Sequence, residues 1–373
     1  MTPRIWAPPL VFFANGLIYM SLISRLPDVT ARAGIGAGQL GLAMAAVPAG
    51  VLLALLVLPR LSARFAAETI ARVALCLSLA IAALTGWVGL YGLAALLLAF
   101  GFAREVLELA QNQLARAAEL RSGRGGMALA HGGWSVGALV ATGLASLLIA
   151  GQVPVALHLL LVGIPAIVLA FATLGRGARP APLAVSPGFP RPDRYTVLLF
   201  CVSLGFMATE NMVYAWGLFY LREEAGFSPA TATLVYSAFA AAMILMRLTG
   251  DRLRDRVARR PLLAVMAVLV LCGLALLLVA APLAGRGQWG VAIAGLALAG
   301  AGVALNAPIL ARAALDHGAA SSFAALSGLN LAAGMALPVL YGGLAATLGY
   351  WACFAASAPL ILFSAIAARR LPD

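Results

Sequence analysis

The chain has 373 residues, of which 63% are hydrophobic and only 10% charged, against roughly 25% charged in a soluble domain. That composition excludes a water-soluble globular enzyme and makes a bilayer the solvent, because lipid accepts apolar surface that no core of this size could hide. The formal charge of +12 comes from 25 basic residues, all of them Arg; they sit between apolar runs, as the positive-inside rule expects, so nucleic acid is excluded as a partner.

In chain order, apolar runs bounded by charge, Gly or Pro predict helices at 8–24, 39–59, 70–86, 91–118, 125–149, 153–174, 195–221, 229–249, 261–282, 289–312, 321–345 and 350–368. With about 20 apolar residues per span, these consume the chain and leave no separate soluble domain. Arg4 followed by the apolar stretch Pro8 to Ile23 has a signal-like look without a small-x-small cleavage site, and reads as an uncleaved first span. Cys76, Cys201, Cys272 and Cys353 show no CxxC or metal-ligand spacing and read as small core residues. No metal and no cofactor are expected.

Residues 176–194, RGARPAPLAVSPGFPRPDR, contain five prolines, which forbid helix and favour an extended, solvated linker. The expected organisation is an N-terminal six-helix bundle over 1–175, this linker, and a C-terminal six-helix bundle over 195–373. The linker, loops 60–72, 116–124 and 251–260, and both chain ends are Arg-rich. The loops on the other side, with Arg25, Asp28 and Arg32, then Arg222, Glu223 and Glu224, are nearly neutral. This asymmetry places both termini and the linker in the cytoplasm.

The fourth helix carries the densest intramembrane chemistry. At 100° per residue, Arg104, Glu105, Glu108, Gln111 and Asn112 fall within about a 120° arc. Exposing such groups to lipid costs several kcal/mol each, so the arc faces a cavity or another polar helix face. Arg104 and Glu108, four apart, suit a structural ion pair. Glu105 then remains unmatched, and a carboxyl in a low-dielectric cavity suits a proton carrier, with Glu108 the first candidate and Glu105 the second. On the seventh helix, Glu210 and Tyr214 stand four apart near Ser203 and Asn211; Glu210 reads as a substrate contact or as a helix–helix hydrogen bond. Asn15, Tyr19, Asn306 and Asn330 supply isolated polar groups, and Pro308 frees a carbonyl near Asn306. His131 is either a proton relay or hydrogen-bonded packing. Residues Gly133 to Gly137 match G-x-S-x-G in letters, but without the strand, turn and helix that a hydrolase needs; the same glycines suit close helix packing. No phosphate-binding glycine loop is present, so an ion or solute gradient must drive any transport.

The segment Gly250-Asp251-Arg252-Leu253-Arg254-Asp255-Arg256 resembles the loop that joins the second and third helices in each half of major facilitator superfamily transporters. The stretch SRLPDVTARAGIGAGQLG, with Glu108, Asn112, Glu119, Met127, His131, Ser135 and Gly137, is similar to a bacterial branch related to the fucose permease-like transporters. The resemblance implies an all-α membrane protein of 12 transmembrane helices in two pseudo-symmetric six-helix bundles around a polar cavity lined by the fourth helix. It also implies a conformational latch at Gly250, Asp251, Arg252, Asp255 and Arg256, while 59–72 lacks the Gly-Asp pair. The reading that follows is a monomeric transporter of the bacterial inner membrane, taking a small-molecule substrate, protons and lipid as partners. Absence of a Gly-Pro signature in the fifth helix favours uptake of a small polar, sugar-like solute by proton symport. Apolar side chains such as Phe206 and Met207 keep amphiphile efflux open, and the missing N-terminal latch keeps a non-transporting receptor or scaffold open.

Overall fold

A computed structural model describes residues 6–122, 126–175, 190–283 and 285–372. Among the described residues, twelve helical segments are long and apolar enough to cross a membrane. Helices are what this sequence must form there: a spanning segment in hydrocarbon has to satisfy its own backbone N–H and C=O groups. The helices are α1 (Ala7–Ala33), α2 (Ala37–Met44), α3 (Ala46–Arg64), α4 (Ala67–Leu84), α5 (Leu90–Ser122), α6 (Gly126–Ala150), α7 (Val155–Thr173), α8 (Arg194–Phe219), α9 (Pro229–Arg256), α10 (Arg259–Ala280), α11 (Gly285–Val303), α12 (Asn306–Leu348) and α13 (Trp351–Ala368). Two compact units divide the chain, one over Met1–Pro187 and one over Gly188–Asp373.

In the first unit α1 packs on α6 and α7, α3 on α5, and α4 on α5 and α7. The α1/α6 contact is set by glycine. A Cβ on Gly133 would meet the Pro9 carbonyl oxygen at 2.3 Å, one on Gly137 that of Phe13 at 2.2 Å, and one on Gly16 that of Trp134 at 2.3 Å. Backbone meets backbone here, which is the small-residue packing expected of this stretch. Ser135 donates to the carbonyl of His131, one turn back at 3.1 Å, a bond within the helix that leaves no nucleophile arrangement.

In the second unit α8 packs on α12 and α13, α10 on α11 and α13, and α9 on α11. One device recurs in both units. Arg72 on α4 donates to the carbonyls of Leu174 at 2.9 Å and Gly175 at 2.6 Å, just past α7. Likewise Arg260 on α10 donates to the Leu371 carbonyl just past α13. Both arginines satisfy carbonyls at a helix end that has no further turn to accept from.

Several expected boundaries shift. Helix α1 runs on to Ala33, so Arg25, Asp28 and Arg32 are helical rather than looped, with Pro27 inside the helix. Helix α9 continues to Arg256, and α12 is helical through 312–320, so the expected loops at 251–256 and 312–316 are helix. Charge ends an apolar run, but it does not end i→i−4 hydrogen bonding where polar surroundings receive the side chains. Cysteine placement also differs from the expectation: Cys353 is buried and Cys201 half-buried, but Cys76 and Cys272 are exposed.

Candidate functional site

Within the first unit, Gln111 organises the polar arc of α5. It is fully buried, accepts from Asn15 Nδ2 of α1 at 3.1 Å, and donates from Nε2 to Glu108 Oε2 at 2.6 Å. Asn112 Nδ2 donates to the other oxygen, Glu108 Oε1, at 3.1 Å. Glu108 therefore receives one amide on each carboxylate oxygen, and a continuous chain joins Asn15, Gln111, Glu108 and Asn112. The helical period placed Gln111 on this arc, but its letter gave no sign that it would be the hub.

The Arg104–Glu108 ion pair is not formed among the described residues. Instead the Arg104 guanidinium lies 5.3 Å from the ring centroid of Tyr19, a cation–π geometry. Tyr19 in turn stacks on Phe100 at 6.3 Å and faces Trp134 at the same distance. Asn15, Tyr19, Arg104, Glu108 and Asn112 are thus brought into one region of α1 and α5. Glu105 is half-buried and stands outside the hydrogen-bonded chain. His131 meets Phe12 edge-on with centroids 4.9 Å apart, on the α1/α6 contact rather than on Glu108. Glu119 accepts from the Met127 backbone N–H at 2.9 Å, satisfying a donor at the start of α6.

In the second unit Glu210 is not a lone carboxylate. Arg247 Nη2 on α9 lies 3.8 Å from Glu210 Oε1, and Arg247 Nε donates to the Ala304 carbonyl at 3.3 Å. That carbonyl lies four residues before Pro308, which has no N–H to offer it. The chain leaves helix at Ala304 and Leu305 before α12 begins at Asn306. Pro308 therefore frees a carbonyl as expected, and Arg247 takes it up. Tyr214 Oη contacts Met243 Sδ at 3.7 Å. Among the described residues Asn306 Oδ1 and Asn330 Oδ1 are buried without a hydrogen-bond partner. Trp216 is fully buried, with its Nε1 likewise without a hydrogen-bond partner among the described residues, and Asn211 is exposed.

Arg247 escaped the sequence reading because it sits near the end of an apolar run, where arginine is ordinary. The set of buried Arg25, half-buried Asp28 and buried His158 escaped it too: Arg25 Nε donates to His158 Nδ1 at 2.8 Å. An imidazole in the apolar run of α7 was the available signal. Of the expected latch, Gly250 lies against Leu305 beside the helix break, where a Cβ would meet Leu305 Cδ2 at 2.4 Å, and Arg256 is exposed at the end of α9. The side chains of Asp251, Arg252 and Asp255 lie outside the described residues. Among the described residues no cluster of three His, Cys, Asp or Glu could hold a metal.

Compared with known proteins, the sequence matches the Major Facilitator Superfamily over residues 10–329 and again over 198–373. The chain belongs to the major facilitator superfamily. Membership makes it a multi-pass membrane transporter with a small-molecule substrate rather than an enzyme. An uncharacterized MFS-type transporter of Yersinia pestis is 32% identical over 259 residues, 67% of this chain and 66% of that protein. An uncharacterized transporter of Sinorhizobium fredii is 27% identical over 314 residues, 82% of this chain and 81% of the relative. The fold is similar to that of the nucleoside transporter NupG in mutant form, with a TM-score of 0.82 over 98% of this chain and 99% of that one, at 12% identity. A bacterial homolog of the human lysosomal transporter Spinster, inward-facing, has a TM-score of 0.69 at 13% identity over 99% of this chain and 96% of that one. At such identities the likeness carries fold and not substrate.

Proposed function

We propose that this superfamily member is a proton-coupled secondary transporter of a small polar solute, monomeric in a bacterial inner membrane, with both termini and the 176–194 linker cytoplasmic. Its two bundles, 1–175 and 195–373, work by alternating access, and Gly250, Asp251, Arg252, Asp255 and Arg256 form the latch of one state. The spacing of Glu108, Asn112, Glu119, Met127, His131, Ser135 and Gly137 supports a place beside the fucose permease-like branch.

The observation that carries proton coupling is the pair of amides on Glu108. An ionised carboxylate is an acceptor at both oxygens, matching Gln111 and Asn112. A proton on either oxygen removes the charge that strengthens both bonds and adds an O–H donor, which favours turning one amide so that its oxygen receives that proton. Turning Gln111 presents its Nε2 to Asn15 Nδ2, donor against donor, and breaks the link to α1. Protonation of Glu108 is thereby coupled to the seating of α1 on α5, which a symporter needs. Glu210 is the solute contact of the second unit, with Tyr214, Asn306 and Asn330 as further polar groups.

Reconstituted protein with a pH-sensitive dye in the vesicle lumen tests this reading. A solute that stabilises the purified transporter should move protons in the direction of its own flux, and Glu108→Gln should bind the solute without moving protons. Undiminished proton movement in that variant sinks the assignment.

A further inference from the structure

The Glu210–Arg247 pair has unusual geometry for two opposite charges on neighbouring helices. At 3.8 Å the nearest atoms are beyond hydrogen-bond length, and 27% of the Glu210 side chain and 37% of the Arg247 side chain are exposed. An ion pair free to close contracts to about 2.8 Å. Here Nε of Arg247 is tethered to the Ala304 carbonyl, and Nη2 stands beyond hydrogen-bond length from the carboxylate. Each charge is left with unused capacity: Glu210 as an acceptor, and Arg247 as a two-pronged donor.

A second observation lies two residues beyond the tether. Asn306 is 5% exposed, and its Oδ1 has no hydrogen-bond partner among the described residues. A buried amide oxygen has acceptor capacity that a donor group on a bound solute can meet. The Ala304 carbonyl also keeps one lone pair beside Arg247. The inventory is therefore one carboxylate and one guanidinium 3.8 Å apart, with the Ala304 carbonyl on that guanidinium and the unsatisfied Asn306 oxygen two residues further along the same break.

We propose that Glu210, Arg247 and the Ala304–Asn306 break form a subsite for a zwitterionic α-amino acid. The ammonium group brings three N–H donors to Glu210 and the unsatisfied acceptors, and the carboxylate takes the open fork of Arg247. A pure anion would face Glu210 without compensation, and a pure cation would face Arg247. A solute carrying both charges answers both residues with charge-assisted bonds while keeping the site neutral. This assignment rests on the role of Glu210 as solute contact proposed above, and names the solute class.

The test is a thermal-shift screen of the full-length purified protein with the common L-α-amino acids, alongside D-glucose, myo-inositol, gluconate and choline. At least one amino acid should raise the melting temperature. Its N-acetyl derivative, which lacks the cation, and its methyl ester, which lacks the anion, should each bind at least tenfold more weakly. Preference should cross over in the variants: Glu210→Gln gains the N-acetyl form and Arg247→Gln gains the ester, while Arg247→Lys keeps the order at lower affinity. A merely structural ion pair cannot produce that crossover. Stabilisation by glucose or inositol with silent amino acids overturns the zwitterion and leaves polar-solute transport standing. Amino-acid binding that survives unchanged in both Gln variants overturns the location. Silence from every probe rejects this subsite together with the polar-solute reading.

Discussion

Arg25 of α1 and His158 of α7 share a hydrogen bond of 2.8 Å, from Nε to Nδ1, across 133 residues of sequence. The other guanidinium nitrogens reach Asp28 Oδ2 at 2.8 Å and the Val153 carbonyl at 2.5 Å. Because Nδ1 accepts, the imidazole carries its proton on Nε2 and is neutral. With Arg25 only 5% exposed and His158 fully buried, these bonds replace water for a charge that has lost it. Arg25→Met should leave Asp28 without its cation and destabilise the protein by about 3 kcal/mol. The readout is the melting temperature in detergent, and an unchanged value refutes the account.

Gln111 sits between Asn15 and Glu108 as donor to one and acceptor from the other. Gln111→Leu keeps the volume and removes both bonds, so Asn15 and one oxygen of Glu108 lose their partner. A loss of about 1–3 kcal/mol is expected, and Asn15→Ala should cost less because Gln111 keeps its bond to the carboxylate. Comparing the two melting temperatures checks the order, and a larger loss for Asn15→Ala would contradict the hub role of Gln111.

The α1/α6 approach leaves no room for a side chain at Gly137, whose Cβ would lie 2.2 Å from a backbone oxygen. Gly137→Val must push the helices apart, at a cost of about 1–3 kcal/mol or more. Gly143, on the same helix, has open space where a Cβ would go, so Gly143→Ala should be close to neutral. Parallel melting curves of the two variants separate contact from helix propensity.

Asp193 caps α8 by accepting from the Thr196 N–H at 2.8 Å, and its other oxygen lies 2.5 Å from His317 Nε2. Hydrogen bonds from Thr196 and then His317 hold its carboxyl well below the usual carboxylate range. A depressed folded-state value means a contribution that is fully present above the unfolded value, about 3.9, and fades as pH falls from there toward the folded value. The stability advantage of wild type over Asp193→Asn should therefore shrink as the pH falls from about 4 downward. Melting temperatures of both proteins across that range check the sign, and an advantage that grows on acidification reverses it.

What the sequence determined by itself was the solvent and the element list. Apolar runs of bilayer length must become helices, since hydrocarbon offers no other partner for their backbone groups, and the twelve runs read from 8–24 to 350–368 correspond to the twelve candidate spans. Helical period likewise put Glu108, Gln111 and Asn112 on one face of α5. Tertiary structure decided the partners. Arg25 reads as a loop residue because charge ends an apolar run, yet packing brings to it His158 of α7 and the Val153 carbonyl just before α7. Glu210 read as solitary because Arg247 lies on the next helix, and Arg104 read as its neighbour's counter-ion until α1 placed Tyr19 beneath it. Residues one or two turns apart meet through local geometry that any helix shares, whereas contacts between helices depend on which glycines let backbones approach and where Pro308 breaks the tenth span. Those arrangements exist only once the helices have packed.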